Sequence, residues 1–413
     1  MDSFVLSCVR AQVGAVLAEI KRLEGSEFPY KHTQEALKET KRVFEDHRDS
    51  LMSLTERSHK PTTELACNTA FVSLSRSIEL LGFFLRSTNI RNAFEAYGPL
   101  LRITRQLLGT DTRLIVSSEW YFSPFTYVGY SHLPGFVLIG FPAPESSNPF
   151  LIPLAGHELG HSVWPQCGLA AYMAKEVEGA IIGKIEKEWG NCETFFNPHK
   201  RNEVGADLIA RLLWKPALDW ALSQCEEYFC DFVGLRIFGE AYLHAFAYLL
   251  APNRQGMRTV FYPNLKARAE ALSSAAVKYG LQVPVGYVDL FKNLEGPAPE
   301  HRRENYLLSL ADDVCAQFVE NLQTRAEKAV SDCGLLARSP ERVEACGKRL
   351  ALMVPTEGSE GLQNILNAAW KGWLDPNFFR APEHNERRLE NLREIVLKSI
   401  EVFEIELKLK ETP

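Results

Sequence analysis

Two histidines stand four residues apart in Pro153-Leu-Ala-Gly-His157-Glu158-Leu159-Gly160-His161-Ser-Val-Trp164. On a helix, that spacing puts both imidazoles on one face, a turn apart, where they converge on a single point. Two neutral imidazoles so placed suit Zn²⁺, and Glu158 can reach a water at the metal without ligating it. Leu151, Ile152, Leu154 and Ala155 make the approach apolar. The helix is therefore expected to run through the core, where a carboxylate and two imidazoles need a reason to be. Gly160 is expected to keep the space between the two ligands open. The chemistry implied is that of a metal-dependent hydrolase; the plain alternative is a chance pair of helical histidines.

A zinc site that leaves one position for water needs a third protein ligand. The HExxH-x-x-G-x-x-H arrangement is excluded, because Trp164 stands where its glycine would be and Cys167 where its third histidine would be. The search moves to a glutamate on a separate helix. Glu203-Val-Gly-Ala-Asp207 and Glu227-Tyr-Phe-Cys-Asp231 both offer Glu-x-x-x-Asp, whose two carboxylates share a helix face. Glu can then bind metal while Asp takes the second N–H of a ligand histidine and fixes its tautomer. The spacing alone decides nothing, since Glu45 and Asp49 share it. Glu227 is preferred because its segment carries an apolar stripe (Leu218, Leu222, Cys225, Phe229, Phe232) and has Gly234 further along the Glu227 face, where the first helix could approach closely. Glu203 and Glu226 stay open as alternatives, and the plain reading of either pair is solvent-facing helix carboxylates.

These residues must be held by longer elements. Val5, Val9, Val13, Val16 and Ile20 recur at helical spacing, and Phe71-Val-Ser-Leu-Ser-Arg-Ser-Ile-Glu-Leu-Leu is amphipathic, so residues 1–110 read as helices. The charged section from Gly25 to Pro61 reads as a solvated helical face, with a partner surface as the alternative. From Arg113 the pattern turns to β: Leu114-Ile-Val, Trp120-Tyr-Phe, Phe125-Thr-Tyr-Val and Leu133 to Pro142 are β-branched and aromatic runs broken by Ser and Pro. The last could be a sheet edge beside the cleft, open to backbone pairing with an extended peptide, or a plain core strand. Residues 151–250, 303–350 and 386–410 read as mostly helical. The expected fold is α+β and predominantly helical, with a small antiparallel or mixed sheet beside the HExxH helix. The expected regions are 1–110, 111–275 and 276–413.

Of the 413 residues, 46% are hydrophobic and 24% charged, as in an ordinary globular chain able to bury a large core. The net charge of -6, with no basic stripe, speaks against nucleic acid as the main partner. Nine cysteines, scattered without a CxxC pair, read as reduced thiols. Asp2 and Arg10 break the apolar start needed for a signal peptide. The longest apolar runs fall far short of the roughly 20 residues of a spanning helix. A soluble, cytoplasmic protein without membrane partners is expected.

His157-Glu-Leu-Gly-His161, Glu227-Tyr-Phe-Cys-Asp231 and Tyr262-Pro with Arg268 six residues on together resemble the gluzincin metallopeptidases, especially the minimal kind related to CAAX prenyl endopeptidases. The resemblance covers about residues 135–275, and the first motif is far more specific than the other two. Tyr262 replaces the usual histidine before proline, and the membrane helices of those relatives are absent. The resemblance implies a zincin-like core with helical extensions at both ends. His157, His161 and Glu227 would hold Zn²⁺, with Asp231 as orienting partner and Glu158 as the base. Tyr262 is the first choice for an oxyanion donor, with His244, Tyr228 and His132 as others. Cys230 reads as a small core residue. The function expected is a zinc endopeptidase of narrow specificity or gated access, acting on a protein or peptide. The alternatives are a catalytically silent zinc-binding module, a zinc amidohydrolase of a non-peptide amide, and, for the helical flanks, a regulatory partner surface.

Overall fold

The computed structural model describes residues 2–55, 58–87, 93–127, 133–145, 147–197, 199–253, 258–294, 296–298, 300–335, 337–357 and 360–411. Two compact units account for the chain: Met1–Arg105 with Gly109–Ser147, and Gln106–Leu108 with Asn148–Pro413. The described residues are predominantly helical, with one small mixed sheet, an α+β composition.

The first unit holds helices α1 (Asp2–Glu24), α2 (Lys31–Ser53), α3 (Lys60–Arg86) and most of α4 (Ala93–Leu108), with strands β1 (Arg113–Glu119), β2 (Phe125–Tyr127) and β3 (Phe136–Pro142). Its core follows the sequence periodicity. Val9, Val13 and Ile20 of α1 are buried against Leu37, Phe44 and Leu51 of α2, which recur every seven residues, and against Leu80, Phe83 and Phe84 of α3. Ile115 and Leu138 carry that cluster into the sheet. Val5, although in phase, is exposed.

β3 is the central strand. It pairs parallel with β1, Leu114 opposite Val137, and antiparallel with β2, Phe125 opposite Gly140. The expectation of an open sheet edge on this strand is therefore corrected: both sides of Leu138 to Gly140 are paired within the sheet. Trp120-Tyr-Phe is corrected as well. These aromatics form a bend after β1, with Trp120 84% exposed. The strand stops at Glu119, whose buried carboxylate receives Arg86 Nε and the Ser117 hydroxyl, each at 2.6 Å. Aromatic β-propensity without a partner strand is not enough to extend it.

The second unit contains α5 (Ala155–Gln166), α6 (Leu169–Lys187), α7 (Trp189–Phe196), α8 (Leu208–Phe238), α9 (Glu240–Leu250), α10 (Leu265–Lys278), α11 (Arg302–Ala316), α12 (Val319–Asp332), α13 (Pro340–Leu350), α14 (Leu362–Leu374), α15 (Pro382–Glu386) and α16 (Arg388–Glu411). The organising element is α8, 31 residues long, against which α5, α6, α10, α11 and α12 pack. Its first turn is capped by Asp207, whose Oδ1 accepts from the backbone N–H of Ile209 and Ala210. From Gln224 on, nearly every α8 residue is buried, so polar groups there must be paired. No described helix is long and apolar enough to cross a membrane. All nine cysteines are free thiols.

Candidate metal centre

The site is assembled where α5 and α8 run antiparallel at very short range. A Cβ added to Gly156 would meet Gly234 Cα at 2.7 Å, and one added to Gly160 would meet Cys230 Cα at 2.6 Å. Two small contacts one turn apart on each helix let the backbones touch, bringing the histidines of α5 directly over the carboxylates of α8. Gly160 therefore serves a different purpose from the one its position suggests: it makes room for α8, not for the metal. Cys230 is that packing partner, fully buried. Gly234 admits α5 on one side and the ring of Tyr242 on another.

In this register, His157 Nδ1 lies 2.9 Å from Asp231 Oδ1 and His161 Nδ1 lies 2.8 Å from Glu226 Oε1. With Nδ1–H donating to a carboxylate, each ring in its neutral form turns its Nε2 lone pair toward a ligand. Those two atoms face one residue. Nε2 of His157 is 3.3 Å from Glu227 Oε2, and Nε2 of His161 is 3.7 Å from Glu227 Oε1. His157, His161 and Glu227 each offer a ligand atom within 4.8 Å of the others, and no other His/Cys/Asp/Glu group of this kind occurs among the described residues. Oε2 of Glu227 is buried yet accepts no aligned hydrogen bond, although His157 Nε2 and Arg268 Nη2 both stand at 3.3 Å. A buried carboxylate oxygen is costly to leave in that condition. Two aimed imidazole nitrogens and an under-satisfied carboxylate fit a divalent cation, and this donor set suits zinc.

The electrostatics agree. Burial opposes a charge on His157, but Glu227 and Asp231 override it and raise the imidazole to about 10. The same negative field that holds a proton there would hold a cation in its place. Glu158, 7% exposed on α5, is raised above the ordinary glutamate value by burial, an effect offset in part by His157 and His161. Burial would also raise Glu227, yet His157 and Arg268 bring it below its usual value.

Asp231 is the hub of a buried network. It accepts from Arg268 Nε and Nη2, both at 2.8 Å, and from the Tyr242 hydroxyl at 2.7 Å, besides His157. Burial pushes its carboxyl up, but Arg268 and His157 outweigh that and hold it well below the carboxylate range. A folded-state pKa below the unfolded value of about 3.9 adds stability above that pH, lost as the pH falls toward the folded value. Asp231→Asn strands the Arg268 guanidinium, which is 5% exposed. We expect urea unfolding of the metal-free variant at pH 7 to show a loss of about 3–5 kcal/mol, the cost of breaking a buried pair. The gap from wild type should narrow below about pH 4, where wild-type Asp231 loses its advantage; a gap that widens in acid would contradict the assignment.

The remaining expectations distribute as follows. Glu203 and Asp207 do not share a helix face, because both precede α8: Glu203 accepts from the Lys200 backbone N–H at 2.8 Å, and Asp207 is the cap. Tyr262 is 47% exposed, with the Arg268 guanidinium 5.9 Å from its ring centroid. Its carbonyl accepts from Arg258, which in turn donates to both oxygens of Asp312 at 2.6 Å. His244 stacks on Trp370, and burial lowers it to about 4, so it is a neutral packing residue at pH 7. Tyr228 is buried beside Phe232, its hydroxyl pushed far up by burial. His132 lies outside the described residues.

Sequence reasoning missed Glu226 as the partner of His161 and Tyr242 as a donor to Asp231. Glu226 sits about 100° round the helix from Glu227, so a face-by-face reading sends it away from the metal. Tyr242 arrives from another helix after the Gly239 turn, and no local pattern announces it.

Set against known proteins, the chain matches no family model, no curated protein and no solved structure at a significant level.

Proposed function

We propose that the chain is a zinc-dependent endopeptidase of narrow specificity, with the ion held by His157, His161 and Glu227. The observation that carries this reading is the convergence of the two Nε2 atoms and Glu227, with each opposite Nδ1 engaged by its own carboxylate. Ligand rings locked by outer carboxylates are what a preorganised metal site requires, and an accidental histidine pair has no need of them.

Zinc bound there supplies Lewis acidity, enough to lower the pKa of water from about 15.7 to about 7. The chain's own groups do the rest. Glu158, raised by burial, takes a proton from the attacking water and hands it to the leaving peptide nitrogen. The Tyr262 hydroxyl donates to the oxygen of the scissile carbonyl as charge develops on it. Asp231 and Glu226 hold the imidazoles in one tautomer, and Arg268 neutralises the carboxylates of α8.

The test is digestion of a mixed synthetic peptide library by the zinc-loaded full chain. Cleavage should occur at a restricted set of sequences, stop on treatment with a chelator and return when zinc is restored. A zinc-replete, folded chain that cleaves no peptide would reject the reading.

A further inference from the structure

On the surface of the second unit an open groove of about 590 Å³ runs beside α8, within the usual range for ligand pockets. Its walls are apolar and come from separate elements: Phe195 of α7, Pro216 and Trp220 of α8, Leu307 of α11, and Val260 and Pro297 from loops. The charged side chains from Glu300 to Glu304 line it as well, and some of them are already engaged. Arg303 Nη2 donates to the Leu213 carbonyl at 2.9 Å, and His301 faces Glu304 at 3.5 Å. The apolar walls suit a large uncharged side chain.

The groove is aligned with the candidate metal centre. Trp220 and Glu227 are seven residues apart on α8, two turns, so both project from the same face. The helical rise puts them about 10 Å apart along the axis. Between them Gln224 Nε2 donates to the Val260 carbonyl at 3.3 Å, tying α8 to the segment that carries Tyr262 two residues later. The same two stretches of chain that hold the third ligand and the candidate oxyanion donor thus continue into the groove walls. An extended peptide advances about 3.3 Å per residue, so three residues span that distance.

We propose that this groove is the specificity subsite of the peptidase, and that it receives an aromatic or large aliphatic side chain three residues from the scissile bond. The inference rests on the peptidase reading for its substrate class. The occupant is a segment of the substrate peptide itself, because Trp220 in the groove wall shares a face of α8 with Glu227.

Two peptide series test it, with Phe or Gly placed three residues to either side of a common cleavage site. In one series the zinc-loaded full chain should cleave the Phe peptide at least about tenfold faster in kcat/KM than the Gly peptide, as expected of an apolar pocket. Trp220→Ala should bring that ratio to about one, and Trp220→Phe should restore most of it. Val260→Asp, a change in a loop that puts a charge into the opposite wall, should also abolish the preference if Trp220→Ala does not fold. The same peptides titrated calorimetrically into zinc-loaded Glu158→Gln should show the Phe preference as affinity, without turnover. Absence of hydrolysis by the zinc-loaded wild-type chain, with selective binding of the Phe peptides retained, would overturn the catalytic reading alone. Equal handling of Phe and Gly in both series, or a preference that survives Trp220→Ala and Val260→Asp, would overturn the subsite.

Discussion

Glu158→Gln is expected to bind zinc as the wild type does and to hydrolyse peptides about 10²–10⁴-fold more slowly, the usual worth of a positioned acid–base group. The two side chains are isosteric, so the packing of α5 on α8 is unaffected. What changes is proton chemistry: an amide cannot accept a proton from water or deliver one to a leaving nitrogen. Burial makes the native carboxyl suited to that work, since it lifts Glu158 above its ordinary value. Removing its negative charge weakens the field around His157 and His161 without removing a ligand, so metal content should hold. Steady-state kinetics beside metal analysis of the same sample separates these effects. Undiminished kcat in a zinc-replete variant would assign the proton transfer to some other group.

His157→Ala should lose the metal outright. It deletes one of the three proposed ligands, and it also leaves Asp231 and Glu227 without an imidazole between them. The residual site, one imidazole and one carboxylate, is too poor to compete for zinc at micromolar concentration. Removing an outer partner is milder: Glu226→Gln should weaken zinc binding by about 10–100-fold, because His161 keeps its position but loses the charge-assisted bond at Nδ1. Glu203→Ala should leave metal binding unchanged, since Glu203 is occupied with the Lys200 backbone outside the cluster. Equilibrium titration with a zinc-selective chelator ranks the three variants. Any order other than His157→Ala, Glu226→Gln, Glu203→Ala, from most to least affected, would contradict the geometry.

How much of this was legible in the sequence differs by element. The HExxH helix and the shared face of Glu227 and Asp231 rest on i,i+4 periodicity, a local property, whereas the choice of that pair rests on the apolar stripe and Gly234 of its segment. Glu203 shares the same spacing and ranks lower because its segment lacks the apolar stripe and Gly234; the structure adds that Asp207 begins a helix instead of continuing one. An N-cap preference for Asp is itself readable, and with it the choice between the two glutamates could have been sharper. Gly160 shows the opposite case. Its missing side chain suggests open space between the ligands, whereas its use is contact, and only the antiparallel packing that sets it against Cys230 reveals that. Trp120 to Phe122 do not form a strand because strand propensity describes a fit to a paired neighbouring strand, and neither ladder of the sheet extends to them. Arg268 and Tyr242 converge on Asp231 from two further helices, and convergence of that kind is invisible to a one-dimensional reading.

Zinc K-edge X-ray absorption on the zinc-loaded wild-type chain tests the site most directly. The account predicts one zinc per chain, with two imidazole nitrogens at about 2.0–2.1 Å and carboxylate or water oxygen at about 2.0–2.2 Å. A sulfur shell at about 2.3 Å, or a folded chain that retains no stoichiometric zinc, would contradict it.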